Sequence, residues 1–247
     1  MAVETNTNVQ STKPIVPNIG TKIPFSIVES YKNIRTNIIS VLAKSGSKIL
    51  AITSPNASEG KSTTSVNIAI TLAQLNKKVV LLDADSRRPT INKKLKIENG
   101  RGCMNILNGE ATLDETITHY NNYLDVIPSG TKVKNPSELF SNERFDDLLD
   151  ELKDRYDYVI LDTPPINPVS DALIIAQKCE VLVMVIRAGA TSFEAFDKAY
   201  NALKVLEISL SGVIINGSDT TRKYLYKNRN KYQYKYNNNN RNYSQYY

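Results

Sequence analysis

Gly60, Lys61 and Ser62 stand together in the stretch SPNASEGKSTTS, which runs from Ser54 to Ser65. A glycine, a lysine and a hydroxyl in that order suit a phosphate chain. Backbone N–H groups at a helix N-terminus face the phosphate oxygens, the lysine bridges the outer phosphates, and the hydroxyl ligates Mg2+. The first glycine of the usual pattern is missing, and Pro55 stands in its place. Alone, G-K-S equally describes a capped helix start. Here an apolar strand-like run precedes the loop and a helix-like run follows it, the context a phosphate loop requires. Ser58, Glu59, Gly60, Lys61, Ser62 and Thr63 are therefore candidate nucleotide-binding residues.

Two further stretches carry acids at the ends of apolar runs. VVLLDADSRRP, from Val79 to Pro89, offers Asp83, Asp85 and Arg87. YVILDTPP, from Tyr158 to Pro165, offers Asp162. One such acid reads equally as a turn or a helix cap. Three at the C-terminal ends of sheet strands converge where open α/β sheets bind ligands. Carboxylates there suit a hard cation such as Mg2+ on phosphate oxygens.

Something must bring these residues together. Short apolar runs over Lys48–Thr53, Lys78–Leu82, Leu124–Pro128, Tyr158–Leu161, Val181–Ile186 and Val213–Ile215 read as strands, most of them buried on both faces. Between them, Lys61–Leu75, Ser137–Phe140, Arg144–Arg155, Ser170–Gln177 and Ser192–Glu207 read as helices. A first helix has Ile27, Tyr31, Ile34, Ile38 and Val41 at helical period, with Ser26 and Glu29 at capping-box spacing. Such alternation predicts an α/β fold, a parallel twisted sheet with helices on both faces.

The 247 residues suffice for one large domain. Residues 1–24 are polar and read as a flexible arm, residues 25–219 as the folded domain, and residues 220–247 as a disordered tail of Asn, Tyr, Lys and Arg. No apolar run reaches bilayer length and no leader is visible, so the expected location is cytoplasmic. Cys103 and Cys179 support neither a disulfide framework nor a metal cluster and read as idle thiols. His119 is the lone histidine, which argues against His-based catalysis.

The net charge is +6, and the seven basic residues after Thr220 account for all of it. Eight of the 14 tyrosines crowd into the last 24 residues: Tyr224, Tyr226, Tyr232, Tyr234, Tyr236, Tyr243, Tyr246 and Tyr247.

A phosphate loop without its first glycine, then D-x-D-x-R, then I-L-D-T-P-P resembles the bacterial tyrosine kinases of capsule and exopolysaccharide synthesis. The resemblance runs from about Phe25 to Asn216 and includes LDVIPSG (Leu124–Gly130), NPSEL (Asn135–Leu139), SDA (Ser170–Ala172) and VIRAGAT (Val185–Thr191). It implies the P-loop fold of the deviant class shared with Min/Par ATPases, with ATP and Mg2+ as cofactors.

By the same resemblance, Lys61 holds the β- and γ-phosphates, Ser62 ligates Mg2+, and Thr63 meets the α-phosphate. Asp83 and Asp85 hold the metal and its waters, Asp83 takes the tyrosine proton, and Asp162 acts through the metal's water shell. Asn216 falls where relatives contact adenine. The tail tyrosines become phosphoacceptors that enter a neighbour's active site. A family motif for ring assembly appears as Glu29, Lys32 and Arg35, with a lysine where the first arginine stands in relatives. Further implied are a ring-shaped octamer, a membrane-spanning chain-length-determinant protein that recruits and activates the kinase, a cognate phosphotyrosine phosphatase, and weak activity without the activator.

A Min/Par partitioning ATPase is the rival on the same fold, but Asn56 occupies the position of its signature lysine. The tail's alternating aromatic and basic residues would also suit single-stranded RNA. The near-neutral domain argues against that, and no nucleic-acid partner is expected.

Overall fold

The computed structural model describes residues 24–218. The expected N-terminal arm, apart from Pro24, and the tyrosine-rich tail with its eight candidate acceptors lie outside the described residues.

A seven-stranded sheet in the order β3-β4-β2-β5-β1-β6-β7 forms the centre. The strands are β1 (Ile49–Thr53), β2 (Val79–Asp83), β3 (Thr118–Asn121), β4 (Leu124–Ile127), β5 (Tyr158–Asp162), β6 (Val181–Arg187) and β7 (Gly212–Asn216). All neighbours run parallel except β3, an antiparallel edge strand on β4. The helices are α1 (Phe25–Ser45), α2 (Lys61–Ala73), α3 (Ile91–Leu95), α4 (Cys103–Leu107), α5 (Pro136–Ser141), α6 (Glu143–Arg155), α7 (Asp171–Gln177) and α8 (Phe193–Val205).

Successive strand residues point to opposite faces, so each apolar strand feeds two cores. Leu50, Ile52, Val79 and Leu81 pack with Ile38, Leu42, Ile68 and Leu72 of α1 and α2. Ile49, Ala51, Val80 and Leu82 pack with Phe140, Phe145, Leu149, Ile175 and Leu203 of α5 to α8. The six predicted strands are present. Five carry the burial of a sheet covered on both sides. The exception is β7, an edge strand whose Val213 and Ile215 are exposed.

The predicted capping box is not formed. Helix α1 starts two residues earlier, at Phe25, because the φ of Pro24 is fixed at −57° and its carbonyl accepts the N–H groups of Ile27 and Val28. Ser26 thus sits inside the first turn, and Glu29 pairs with Lys32 at 2.7 Å instead. Arg35 donates to the Thr71 carbonyl at 2.8 Å and ties α1 to α2. The elements without a sequence signal are small: α3, α4 and β3. Among the described residues, no helix is long and apolar enough to cross a membrane.

Candidate active site

Strands β2 and β5 lie side by side in register, with Asp83 opposite Asp162 at their C-terminal ends. Strand β1 flanks β5 on the other side and leads into the loop Ser54–Gly60 and then into α2. The sheet therefore delivers Lys61 and all three predicted acids to one place.

Lys61 is the hub. Its Nζ lies 3.2 Å from Asp85 Oδ2, 3.3 Å from Asp162 Oδ1 and 3.2 Å from Ser62 Oγ. The lysine is 7 % exposed, Asp85 5 % and Asp162 not at all. Burial alone would lower the Lys61 pKa, but the charges of Asp162, Asp85 and Asp83 outweigh it and raise it. Ser65, one turn along α2, donates to Asp162 Oδ1 at 2.9 Å.

Asp83 is placed differently from Asp85. Its Oδ1 accepts the Asp85 N–H, and its Oδ2 accepts those of Thr90 and Ile91, so it organises its own loop and the start of α3. Burial first, and the charge of Asp162 second, push its carboxyl up to about 8. Burial also raises Asp85, against the pull of Lys61. Three acids thus share a buried pocket with one fully engaged lysine.

That excess of acid is what a divalent cation neutralises. Asp162 Oδ2 is buried without a hydrogen-bond partner, an orphaned acceptor of the kind a metal's water shell satisfies. Among the described residues, no three His, Cys, Asp or Glu side chains could hold a metal ion by themselves. A cation that keeps several waters and takes its remaining ligands from a hydroxyl and from phosphate oxygens fits this donor set, and Mg2+ is such a cation.

The loop is held from outside. Gly60 has φ +98°, and a Cβ there would sit 1.9 Å from Asn216 Nδ2. That amide donates to the Glu59 carbonyl at 3.0 Å, so Asn216, expected at the adenine, latches the phosphate loop. The Glu59 side chain is buried; it accepts from the Asn56 N–H at 3.0 Å and from Thr191 Oγ1 at 2.7 Å. Arg187 reaches the Ser58 carbonyl at 3.3 Å, and Asn167 donates to Asn56 Oδ1 at 3.3 Å. Half-buried Lys94 of α3 donates to Thr63 Oγ1 at 2.8 Å.

Several of these residues carried no assigned role in the sequence reading. Arg187 and Thr191 lie in VIRAGAT. Arg87 of D-x-D-x-R forks onto Asp171 of SDA at 2.7 and 3.1 Å, and Ser137 of NPSEL donates to the same carboxylate at 2.5 Å. Three separate motifs therefore close on one buried carboxylate. Lys94, Ser65 and Asn167 gave no such signal. Cys103 is buried and free, and Cys179 is a free thiol that burial pushes up to about 12, in keeping with idle thiols.

The fold and site define a P-loop nucleotide-binding domain, and a family model described as AAA domain matches residues 47–211. Tyrosine-protein kinase YwqD of Bacillus subtilis is 39% identical over 199 residues, covering 80% of this chain and 84% of that protein. Tyrosine-protein kinase CpsD of Streptococcus agalactiae is 39% identical over 190 residues, covering 76% and 82%. Among solved structures, the kinase domain of Escherichia coli tyrosine kinase ETK superposes with a TM-score of 0.76 at 31% identity, covering 82% of this chain and 83% of that one. The septum site-determining protein MinD of Pyrococcus horikoshii, solved with Mg-ADP, gives 0.59 at 21% identity, which shows the fold alone. The chain belongs to the bacterial tyrosine kinases.

Proposed function

We propose that this kinase transfers the γ-phosphoryl group of Mg-ATP to tyrosines of its own C-terminal cluster, in a neighbouring copy, and so regulates capsule or exopolysaccharide synthesis and export. The observation that carries the reading is Lys61 at a helix N-terminus, within 3.3 Å of Asp85 and Asp162. Phosphoryl transfer needs positioning and charge stabilisation more than covalent participation by the protein, and this set supplies both.

In the step itself, a tyrosine phenol oxygen bonds to the γ-phosphorus. The bond from that phosphorus to the β,γ-bridging oxygen breaks, and ADP leaves. Lys61 releases its carboxylates to hold the β- and γ-phosphates. Backbone N–H groups of residues 58–63 and the Thr63 hydroxyl hold the rest of the phosphate chain. Ser62, Asp83 and Asp85 would hold Mg2+ and its waters, with Asp162 in the water shell; the metal neutralises phosphate charge. Asp83 is the acceptor this reading assigns to the phenolic proton, and the metal charge it would share favours its carboxylate form. Asn216 fixes the loop from the side on which adenine is expected.

The acceptors are Tyr224, Tyr226, Tyr232, Tyr234, Tyr236, Tyr243, Tyr246 and Tyr247. Assembly is a ring-shaped octamer through α1. Within one chain Arg35 is engaged by Thr71 and Glu29 pairs with Lys32, so assembly would exchange these contacts for ones to a neighbour. A membrane-spanning activator recruits the cytoplasmic kinase and completes the nucleotide site, and a phosphotyrosine phosphatase resets it. Each phosphate adds about −1.5 to −2 charges, so eight would add roughly −12 to −16. Against the tail's seven basic residues this inverts its charge and loosens the ring.

Phosphosite mapping after incubation with Mg-ATP, with and without the activator's cytoplasmic segment, tests the reading. Phosphate on the tail tyrosines, absent from Lys61→Met, is expected. ATP hydrolysis without phosphotyrosine, even with the activator, would overturn it. An unchanged particle size after full phosphorylation would remove the charge-driven loosening.

A further inference from the structure

Immediately past Asp85 the surface opens into a groove of about 490 Å³ lined by Ser86, Arg87, Lys132, Val133, Lys134 and Pro136. Its polar equipment points to an anion. Ser86 is 6 % exposed, and its Oγ is buried with no hydrogen-bond partner. The fork of Arg87 is fixed by Asp171 through Nε and Nη2, which leaves Nη1 unengaged. Lys132 and Lys134 are exposed, and neither joins an ion pair among the described residues. Nearby Asp171 is already paired, and Glu138 accepts from Asn135 at 3.0 Å. Ammonium groups, a held guanidinium and a buried hydroxyl together suit a phosphate dianion.

We propose that this groove binds a phosphotyrosine already formed on a tail, while the next tyrosine of that tail occupies the transfer site. The proposal rests on the reading that tail tyrosines are the acceptors. Two observations favour this occupant. Tyr232, Tyr234 and Tyr236 recur at every second residue, as do Tyr224 and Tyr226. In an extended segment such side chains share one face, about 6.7 Å apart. Asp85, at the transfer site, and Arg87, in the groove, sit in one turn closed by the Arg88 N–H on the Asp85 carbonyl, so the two sites adjoin. Charge supplies the second argument. The unmodified tail is purely basic, so Lys132 and Lys134 repel it. The first phosphate turns repulsion into attraction. The first modification is then slow and the following ones fast, and the tail is modified in clusters.

Peptides of residues 230–238 test this with the full-length kinase and the activator's cytoplasmic segment, one unmodified and one carrying phosphate on Tyr236. Phosphorylation of Tyr234 is followed by mass spectrometry as kcat/KM. Two screened lysine–phosphate contacts make the primed peptide better by about tenfold. The variant Lys132→Ala/Lys134→Ala is expected to erase that advantage and leave the unmodified peptide no slower. Anisotropy of the labelled primed peptide with ADP present reads binding without transfer, and inorganic phosphate is the competitor. Equal rates for both peptides, or an advantage that survives the double substitution, would overturn the subsite and leave the acceptor reading standing. Lysine-dependent binding of the primed peptide without transfer to either peptide would instead sink the acceptor reading. Displacement by inorganic phosphate as readily as by phosphopeptide would make the groove a general anion site and overturn the assignment to the tail.

Discussion

Replacing Lys61 by methionine does more than remove a phosphate contact. The side chain is buried between Asp85 and Asp162 at 3.2 and 3.3 Å, and Asp162 has a second oxygen with no partner at all. Methionine keeps the bulk and removes the charge. Removing one partner of a buried ion pair costs about 3–5 kcal/mol, because the other charge stays buried. For a domain of this size, that is a fall in Tm of roughly 6–20 °C at pH 8. The sequence has no tryptophan, so far-UV circular dichroism is the readout.

The pH dependence has a definite sign. Lys61 has a raised pKa, so its contribution is constant through neutral pH and is lost only as pH rises through its folded value, above the usual 10.5. The change with pH in the variant therefore comes from its carboxylates. Asp85 has a raised folded pKa, so its folded form is favoured below the ordinary carboxylate range and loses stability as pH rises through the folded value. The gap between wild type and Lys61→Met should be small near pH 5 and widest at pH 8. Adding Asp85→Asn to Lys61→Met should recover much of it. A fall of less than about 2 °C at pH 8, or the same gap at both pH values, would refute the reasoning.

Other sites give independent tests. Gly60→Ala places a Cβ against the Asn216 amide at a positive φ, so a loss of about 2 kcal/mol in urea unfolding is expected. Adding Asn216→Ala should relieve the clash and not the strain, and binding of a fluorescent ATP analogue should stay weak. Burial would raise the Asp171 pKa, but Arg87 and Ser137 outweigh it and lower it. Its contribution is therefore present above the ordinary carboxylate range and lost as pH falls through the folded value. Asp171→Asn should cost about 1 kcal/mol at pH 6, a cost that shrinks as pH falls through the folded value, read from urea unfolding. Phe145 is fully buried and meets Phe140 edge-on at 5.1 Å, so Phe145→Ala should cost about 3–5 kcal/mol in the same assay.

Five strands were legible because each is a short apolar run that serves two cores; β7 showed by its apolar run although it is an edge strand, and polar β3 did not show. Lys61, Asp83, Asp85 and Asp162 were legible because motif and strand end coincide. Three things were not. Helices α3 and α4 have five residues each, too short for periodicity to show. The start of α1 went to Pro24 because a fixed backbone angle beats a side-chain cap that has not yet formed. The support of the phosphate loop is entirely non-local: Asn216 and Glu59 are 157 positions apart. Spacing along the chain holds no trace of such a contact, although VIRAGAT marked Arg187 and Thr191 without saying what they touch.

That non-local support explains the polar residues that end β6 and β7. Both strands are apolar until Arg187 and Asn216, which pair with each other across the sheet. Both then reach the same loop, Arg187 at the Ser58 carbonyl and Asn216 at the Glu59 carbonyl. A loop whose N–H groups face phosphate must leave its carbonyls on the opposite side. Those carbonyls need donors that do not compete with the ligand. Strand ends at fixed register provide them more rigidly than side chains of the loop could. Ser58 and Gly60 can therefore hold positive φ at 67° and 98° without a full glycine pattern, because strands β6 and β7 impose the conformation. Pro55, where the first glycine usually stands, has its carbonyl held from another quarter, by the Asn167 N–H in the loop after β5 at 3.1 Å.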